Sequence, residues 1–270
     1  MMRTRLFASL AFTWLLLLCA PPASVLAEGS EAEAFSWKTI EKGLEFGEHQ
    51  FAGRSRTEAP DVILLRIDPQ HFDFRLVTAK DLGKTGSDVK TLTEHINGQA
   101  GINANFFDES GVELGLVVVG GVTKHKLHRG GNLLTGVFYL KGTEAAIVHR
   151  DSFTATNADI ATQSGPRLIA AGKALTVNDP LVTSRRSGVA ITKNGQIILF
   201  ATVTRFPGAS FDDIQQMLLK PELGVVDALN FDGGSSSQLF IADNRAVGAE
   251  TVISGGAEIP VVLVVKRKSK

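Results

Sequence analysis

The residues best placed to do chemistry lie in one stretch near the C-terminal third of the chain. An apolar approach, Val225-Val226-Asp227-Ala228-Leu229, gives way to Asn230-Phe231-Asp232-Gly233-Gly234-Ser235-Ser236-Ser237-Gln238, and the chain turns apolar again at Leu239-Phe240-Ile241. This is the pattern of a tight turn leaving a buried strand, with a carboxylate at its mouth. Gly233 and Gly234 permit positive φ or a close approach to a ligand. The serines offer hydroxyls and a row of N–H groups suited to an anion or a sugar hydroxyl. The same residues also make an ordinary Gly-Ser turn in which Asp232 caps its own backbone.

The elements around this stretch read as short strands. Val62–Ile67 and Phe72–Val77 flank a hairpin at Asp68-Pro69-Gln70-His71, and Val117–Val122, Val137–Leu140 and Ala145–Val148 follow. Asn194-Gly195 predicts a type I′ hairpin between Val189–Ile191 and Ile197–Phe200. Ser87 is placed to cap a helix running to about Asn97, with Gly98 as its stop, and Ser210 with Asp213 forms a capping-box start to a second helix. The run Val261-Val262-Leu263-Val264-Val265 suits a central strand buried on both faces. With no repeat or interior linker, the expectation is one α+β domain: a large mixed or mainly antiparallel β-sheet with two or three packed helices.

Four blocks occur in a telling order. Asp232-Gly233-Gly234-Ser235-Ser236-Ser237 resembles the D-G-G-G-S-S signature of the phosphodiester glycosidase family, with Ser235 in place of the third glycine. Gly101-Ile102-Asn103-Ala104-Asn105-Phe106-Phe107 resembles G-V-N-G-G-F-F, Ser164-Gly165-Pro166-Arg167-Leu168 resembles a G-P-x-L block, and Arg186-Ser187-Gly188-Val189-Ala190 resembles R-T-A-I-G. The resemblance spans about residues 100 to 240. It implies the same kind of α+β architecture and an enzyme hydrolysing the glycosidic bond of a sugar 1-phosphodiester. The alternative is a non-catalytic exported module that binds a cell-envelope glycan in the same cleft.

Phosphate is a good leaving group, so one carboxylate with cationic stabilisation can suffice where other glycosidases use a carboxylate pair. On that reading Asp232, Arg186 and Asn105 are the catalytic set, with Asp232 as base, nucleophile or sugar-hydroxyl acceptor and Arg186 gripping phosphate through its guanidinium fork. Asn103, Arg167, Gly233, Gly234, Ser235 and Ser236 are the substrate-binding set. Asn103 and Asn105, two apart, share one side of an extended chain, where they would hold sugar hydroxyls, orient the carboxylate or satisfy buried backbone. Asp108 and Glu109 are the candidates for a second carboxylate. No metal ligands are assigned: His125, His128 and His149 lack a flanking acid in a metal-binding pattern, although Asp232 could accept a divalent cation. The sequence has no Gly-Lys-Ser phosphate loop, G-x-S-x-G elbow or Cys–His pair, which removes the usual nucleotide and acyl-transfer readings.

Arg3 and Arg5, the apolar run Leu6–Ala20 and Val25-Leu26-Ala27 read as a signal peptide over residues 1–27, removed on export. Its apolar core is shorter than the roughly 20 residues that span a bilayer, so no membrane anchor is expected after cleavage. A flexible lead-in, 28–36, precedes the domain at 37–270. Cys19, the one cysteine, would leave with the leader, and the exported domain would rely on its core rather than on disulfides. Lys plus Arg and Asp plus Glu both number 28, a balance that suggests neither a nucleic-acid nor a membrane-surface partner; the resemblance implies a carbohydrate or sugar-phosphate ligand. The location expected is secreted or periplasmic.

Overall fold

A computed structural model describes residues 35–53, 60–154, 158–203 and 206–268. The expected leader at 1–27 and the first part of the lead-in lie outside the described residues. In chain order the elements are β1 (Trp37–Glu41), β2 (Leu44–His49), β3 (Val62–Ile67), β4 (Phe72–Thr78), α1 (Val89–His95), β5 (Ala100–Asn103), β6 (Val117–Val119), β7 (Val122–His125), β8 (Gly136–Lys141) and β9 (Glu144–His149). They continue with β10 (Ile160–Ser164), β11 (Arg167–Ala170), β12 (Lys173–Ala174), β13 (Ser187–Thr192), β14 (Ile197–Thr202), α2 (Phe211–Leu218), β15 (Val225–Asn230), β16 (Leu239–Asn244), β17 (Ala249–Ile253) and β18 (Val261–Arg267).

Among the described residues the expected single large sheet is instead three sheets, with orders β1-β2-β3-β14-β13-β15-β11-β12, β7-β6-β10-β8-β9 and β17-β16-β5-β18-β4. All the pairings among them are antiparallel. Among the described residues 45% are strand and 11% helix, more β-rich than an α+β reading suggests. The physical reason is the density of hairpin turns, which return the chain after five or six residues and leave little length for helices.

Inward-facing residues of the three sheets share one core, including Phe46, Ile102, Phe138, Leu229, Phe231 and Leu263. Helix α2 covers the outer face of the first sheet, packing Ile214, Met217 and Leu218 on Ile198, Phe200 and Ala228. Helix α1 covers the third, packing Val89 and Leu92 on Phe240, Val262 and Val264. β18 therefore buries both faces, as its unbroken apolar run predicts. Three local expectations shift. Asp88, not Ser87, caps α1 by accepting from Thr91 N (2.8 Å), because Ser87 pairs with Ile259. That helix ends at His95, and Asn97 (φ 54°) rather than Gly98 takes the left-handed stop. The β13–β14 hairpin forms in the expected register, but only Gly195 has positive φ (77°). Thr192 accepts from Gly195 N and donates to Gln196 O, the pattern of a type I turn with a bulge rather than type I′.

Candidate active site

The Asp232 turn sits where the sheets meet. β15 delivers it from the first sheet and β16 receives it in the third, and both margins are pinned by side chains from those sheets. Asn103, at the end of β5, donates Nδ2 to the Asp232 carbonyl (2.7 Å) and accepts from Gln238 N (3.0 Å), so one amide staples both ends of the turn. Ser187 Oγ donates to the same Asp232 carbonyl (3.1 Å). Gln238 continues outward, accepting from Val89 N (3.0 Å) and donating to Ala257 O (2.8 Å).

The glycines are required by space. A Cβ on Gly233 would lie 2.9 Å from the Arg185 carbonyl, and Gly234 has φ 58°. Most of the N–H row foreseen for an anion is consumed internally. Gly233 N–H bonds the Asp232 carboxylate, and Gly234 N, Ser236 N and Ser237 N donate to the carbonyls of Arg185, Gly233 and Gly234. Ser235 is exposed while its carbonyl accepts from Gly256 N and Ala257 N, and Ser236 is buried.

Asp232 itself is half-buried. Burial pushes its carboxyl up to about 6, against the opposing pull of hydrogen bonds from the Ser236 hydroxyl and the Gly233 N–H. A carboxyl at that position changes protonation near neutral pH, which is what proton transfer requires. The turn-capping reading is therefore met in part, since the carboxylate does accept from its own loop, but the cap leaves it short of full stabilisation.

Arg186 immediately precedes β13, and its guanidinium lies 3.8 Å over the Phe211 ring. Nε donates to Ala209 O (3.2 Å) and Nη2 to Val182 O (2.8 Å), while Nη1 lies 3.8 Å from where a Gly233 Cβ would be. Burial lowers its pKa without threatening its charge, since a guanidinium stays protonated throughout the working range. Among the described residues no carboxylate pairs with it. The planar stack and two carbonyls fix the fork, and Nη1 is left facing the turn. Its neighbour Arg185 does the opposite: it is buried and ties Ser237 O (2.7 Å) and Ser254 O (2.8 Å). The sequence gives no separate signal for Arg185 as a clamp beyond strand alternation, which turns consecutive side chains to opposite sides.

The remaining assignments separate. Asn105, past the end of β5, makes no hydrogen bond to the Asp232 turn among the described residues; it donates to Gln163 O (3.3 Å) of the second sheet. Arg167, opposite Leu229 in the β11–β15 register, turns its guanidinium to Asp227 (3.6 Å), away from Asp232 along β15. Asp108 caps its own exposed loop, accepting from Ser110 N and Val112 N (2.9 Å each), and Glu109 is exposed beside it. Neither is offered to the turn as a second acid. Among the described residues no group of three or more His, Cys, Asp or Glu gathers as metal ligands, and His125 Nδ1 is engaged with Gly115 O (2.9 Å). Gln163 is the residue least expected: fully buried, it accepts from Leu116 N and His128 N and donates to His128 O and Leu134 O, so it ties the segments at Leu116, His128 and Leu134 together.

Comparison with solved structures returns the same fold at low identity. A hypothetical protein from Synechocystis matches with TM-score 0.57 and 18% identity over 88% of this chain, which spans 64% of that protein. The zebrafish N-acetylglucosamine-1-phosphodiester alpha-N-acetylglucosaminidase catalytic domain, auto-inhibited by its pro-peptide, matches with TM-score 0.57 and 14% identity, covering 84% of this chain and 89% of that one. A protein from Burkholderia pseudomallei matches with TM-score 0.52 and 12% identity, covering 76% and 73%. No curated protein sequence matches. The phosphodiester glycosidase family model matches residues 97–266, from the approach to β5 through nearly all of β18 and including the whole Asp232 turn. The chain belongs to the phosphodiester glycosidase family.

Proposed function

We propose that this protein hydrolyses the C1–O bond of a sugar 1-phosphodiester, releasing free sugar and a phosphomonoester, with Asp232 in the chemical step and Arg186 on the phosphate. The observation that carries this reading is a carboxyl raised to about 6 that shares its turn with an arginine nitrogen pointing at Gly233. Above pH 6 the Asp232 carboxylate accepts a proton from the attacking water as that oxygen bonds to C1. The C1–O electron pair departs on the phosphomonoester, whose added negative charge is met by the held guanidinium of Arg186. Asn103 and Ser187 act at one remove: by fixing the Asp232 carbonyl they hold the carboxylate where the reaction needs it.

The substrate is a cell-surface or extracellular glycan, and the domain at 37–270 reaches it by export after loss of residues 1–27. No helix among the described residues is long and apolar enough to cross a membrane. The deciding experiment incubates purified protein with a sugar 1-phosphodiester and follows both products. Free sugar and phosphomonoester appearing together support hydrolysis. Saturable binding with unchanged ligand would make the protein a glycan-binding module instead.

A further inference from the structure

Leu181, Val182 and Phe206 are the three most exposed large apolar side chains among the described residues, at 75%, 59% and 92%. Scattered singly such residues are ordinary, but gathered beside a site they mark what binds there. All three sit on the two segments that the Arg186 guanidinium ties down. Nη2 donates to the Val182 carbonyl (2.8 Å) and Nε to the Ala209 carbonyl (3.2 Å), and the segments pair with each other at Ser184 and Ala209 (3.0 and 2.7 Å). Backbone geometry then puts the Val182 Cβ within about 6 Å of Nη2. Leu181 is its neighbour, and Phe206, three residues before Ala209, is at most about 11 Å of chain away from it. Ser184 Oγ lies 3.9 Å from where a Gly234 Cβ would be, so this apolar rim borders the Asp232 turn as well.

A phosphodiester has two ester oxygens. With the sugar C1 at Asp232 and the phosphate at Arg186, the second ester oxygen is left toward the segments beyond the guanidinium, and the group it carries meets Leu181 and Val182. From Pro180 to Ser184 and from Phe206 to Ala209 no side chain is charged, and the only hydroxyls are those of Thr183 and Ser184. A second sugar would present hydroxyls that each need a donor or an acceptor, whereas an alkyl chain needs only apolar surface on which to leave water. We infer that the alcohol on the phosphate is a long-chain lipid alcohol, received on Leu181 and Val182 with Phe206 beyond them. The substrate is then a glycan sugar joined through one phosphate to a lipid, and attack of water at C1 leaves the lipid as its phosphomonoester. The identity of the leaving group rests on the proposed hydrolysis; the apolar rim stands on the exposed side chains.

Methyl and decyl esters of one sugar 1-phosphate, kept below the micelle concentration, test it. Each methylene that leaves water is worth about fourfold, so three or four of them on the rim predict a kcat/KM about 10² higher for the decyl ester. Leu181→Ser combined with Phe206→Ser should cut that decyl-to-methyl ratio about tenfold or more; both positions are exposed, so neither change threatens the fold. A ratio near one in the unsubstituted protein, or a ratio that the double variant leaves untouched, overturns the lipid alcohol while hydrolysis stands. Faster cleavage of an ester carrying a hexose than of the decyl ester overturns it too. If no ester is cleaved, the hydrolase reading falls and calorimetry with decyl phosphate and methyl phosphate decides the rim. Tighter binding of decyl phosphate that the double variant weakens upholds an alkyl phosphate site there, and equal binding of the two overturns it.

Discussion

Replacing Asp232 by Asn should make the protein more stable and nearly inactive, and the pH dependence of the first effect is the sharper test. A carboxyl moved from 3.8 to about 6 disfavours its charged form by about 3 kcal/mol; because Asp232 is only half-buried, solvent screening reduces that to about 2 kcal/mol. Between those two pH values the folded chain holds a proton that the unfolded chain has released, so stability falls as pH rises through the window and the full penalty persists above it. An amide cannot ionise and escapes the penalty while still accepting from Ser236 or Gly233. For a chain of this size about 2 kcal/mol corresponds to a Tm gain of about 4–8 °C. The gain should be full at pH 8 and vanish near pH 4. Turnover of a sugar 1-phosphodiester at pH 7 should drop by about 10²–10⁴. Calorimetric melts of both proteins across pH, with product assays at pH 7, decide the matter. A lower Tm at pH 8 together with intact turnover would refute the reasoning and make Asp232 a turn cap.

Arg186→Lys keeps the charge but loses the stack on Phe211 and the paired bonds to Ala209 and Val182; KM for the phosphodiester should rise about tenfold or more, with no effect on a non-phosphorylated glycoside, and equal losses on both would count against a phosphate role. Gly165→Ala would bring a methyl 1.9 Å from the Leu133 carbonyl, so urea denaturation should show a loss of about 3 kcal/mol or more, and a loss under about 1 kcal/mol would mean the loop at Leu133 yields freely. His49 is held down to about 4, first by burial and then by Lys220, in contact with the rings of Phe35 and Phe51. It stays neutral in the fold, so stability is lost as pH falls from 6.5 toward 4; His49→Phe should melt higher than the parent at pH 5 and alike at pH 8, and a parallel pair of pH profiles would contradict this.

What the sequence disclosed and what it hid follow a physical line. β18 was legible because Val261–Val265 are apolar without alternation, and only burial on both faces explains that. The Asp232 turn was legible because polar residues interrupt two apolar strands. The division into three sheets was not. Alternation says which residues face inward, but β5 pairs with β16 and β18, partners more than 130 positions away, and no local rule selects them. Ser87 and Asp88 are both good caps one residue apart, so the choice between them fell to the Ser87–Ile259 pairing. Asn103 and Asn105 look equivalent in the sequence, yet one closes the turn and the other crosses to Gln163, because β5 ends between them. Arg167 could be placed at a loop-to-strand junction, but its commitment to Asp227 depends on the β11–β15 register.

Asn103 and Ser187 holding one carbonyl from two different sheets has a consequence for how this protein can change. Many enzymes keep their reactive groups on loops that tolerate insertion and exchange without disturbing what lies beneath. Here the turn is stitched to the margins of β5 and β13, so its geometry is inherited from the packing of two sheets against each other. Redesign of the reactive centre by loop grafting would carry the turn away from its stitches. New specificity is more readily sought in the exposed Ser235 and in the segment around Leu181 and Val182, which are 75% and 59% exposed and can vary while the stitched carbonyl stays in place.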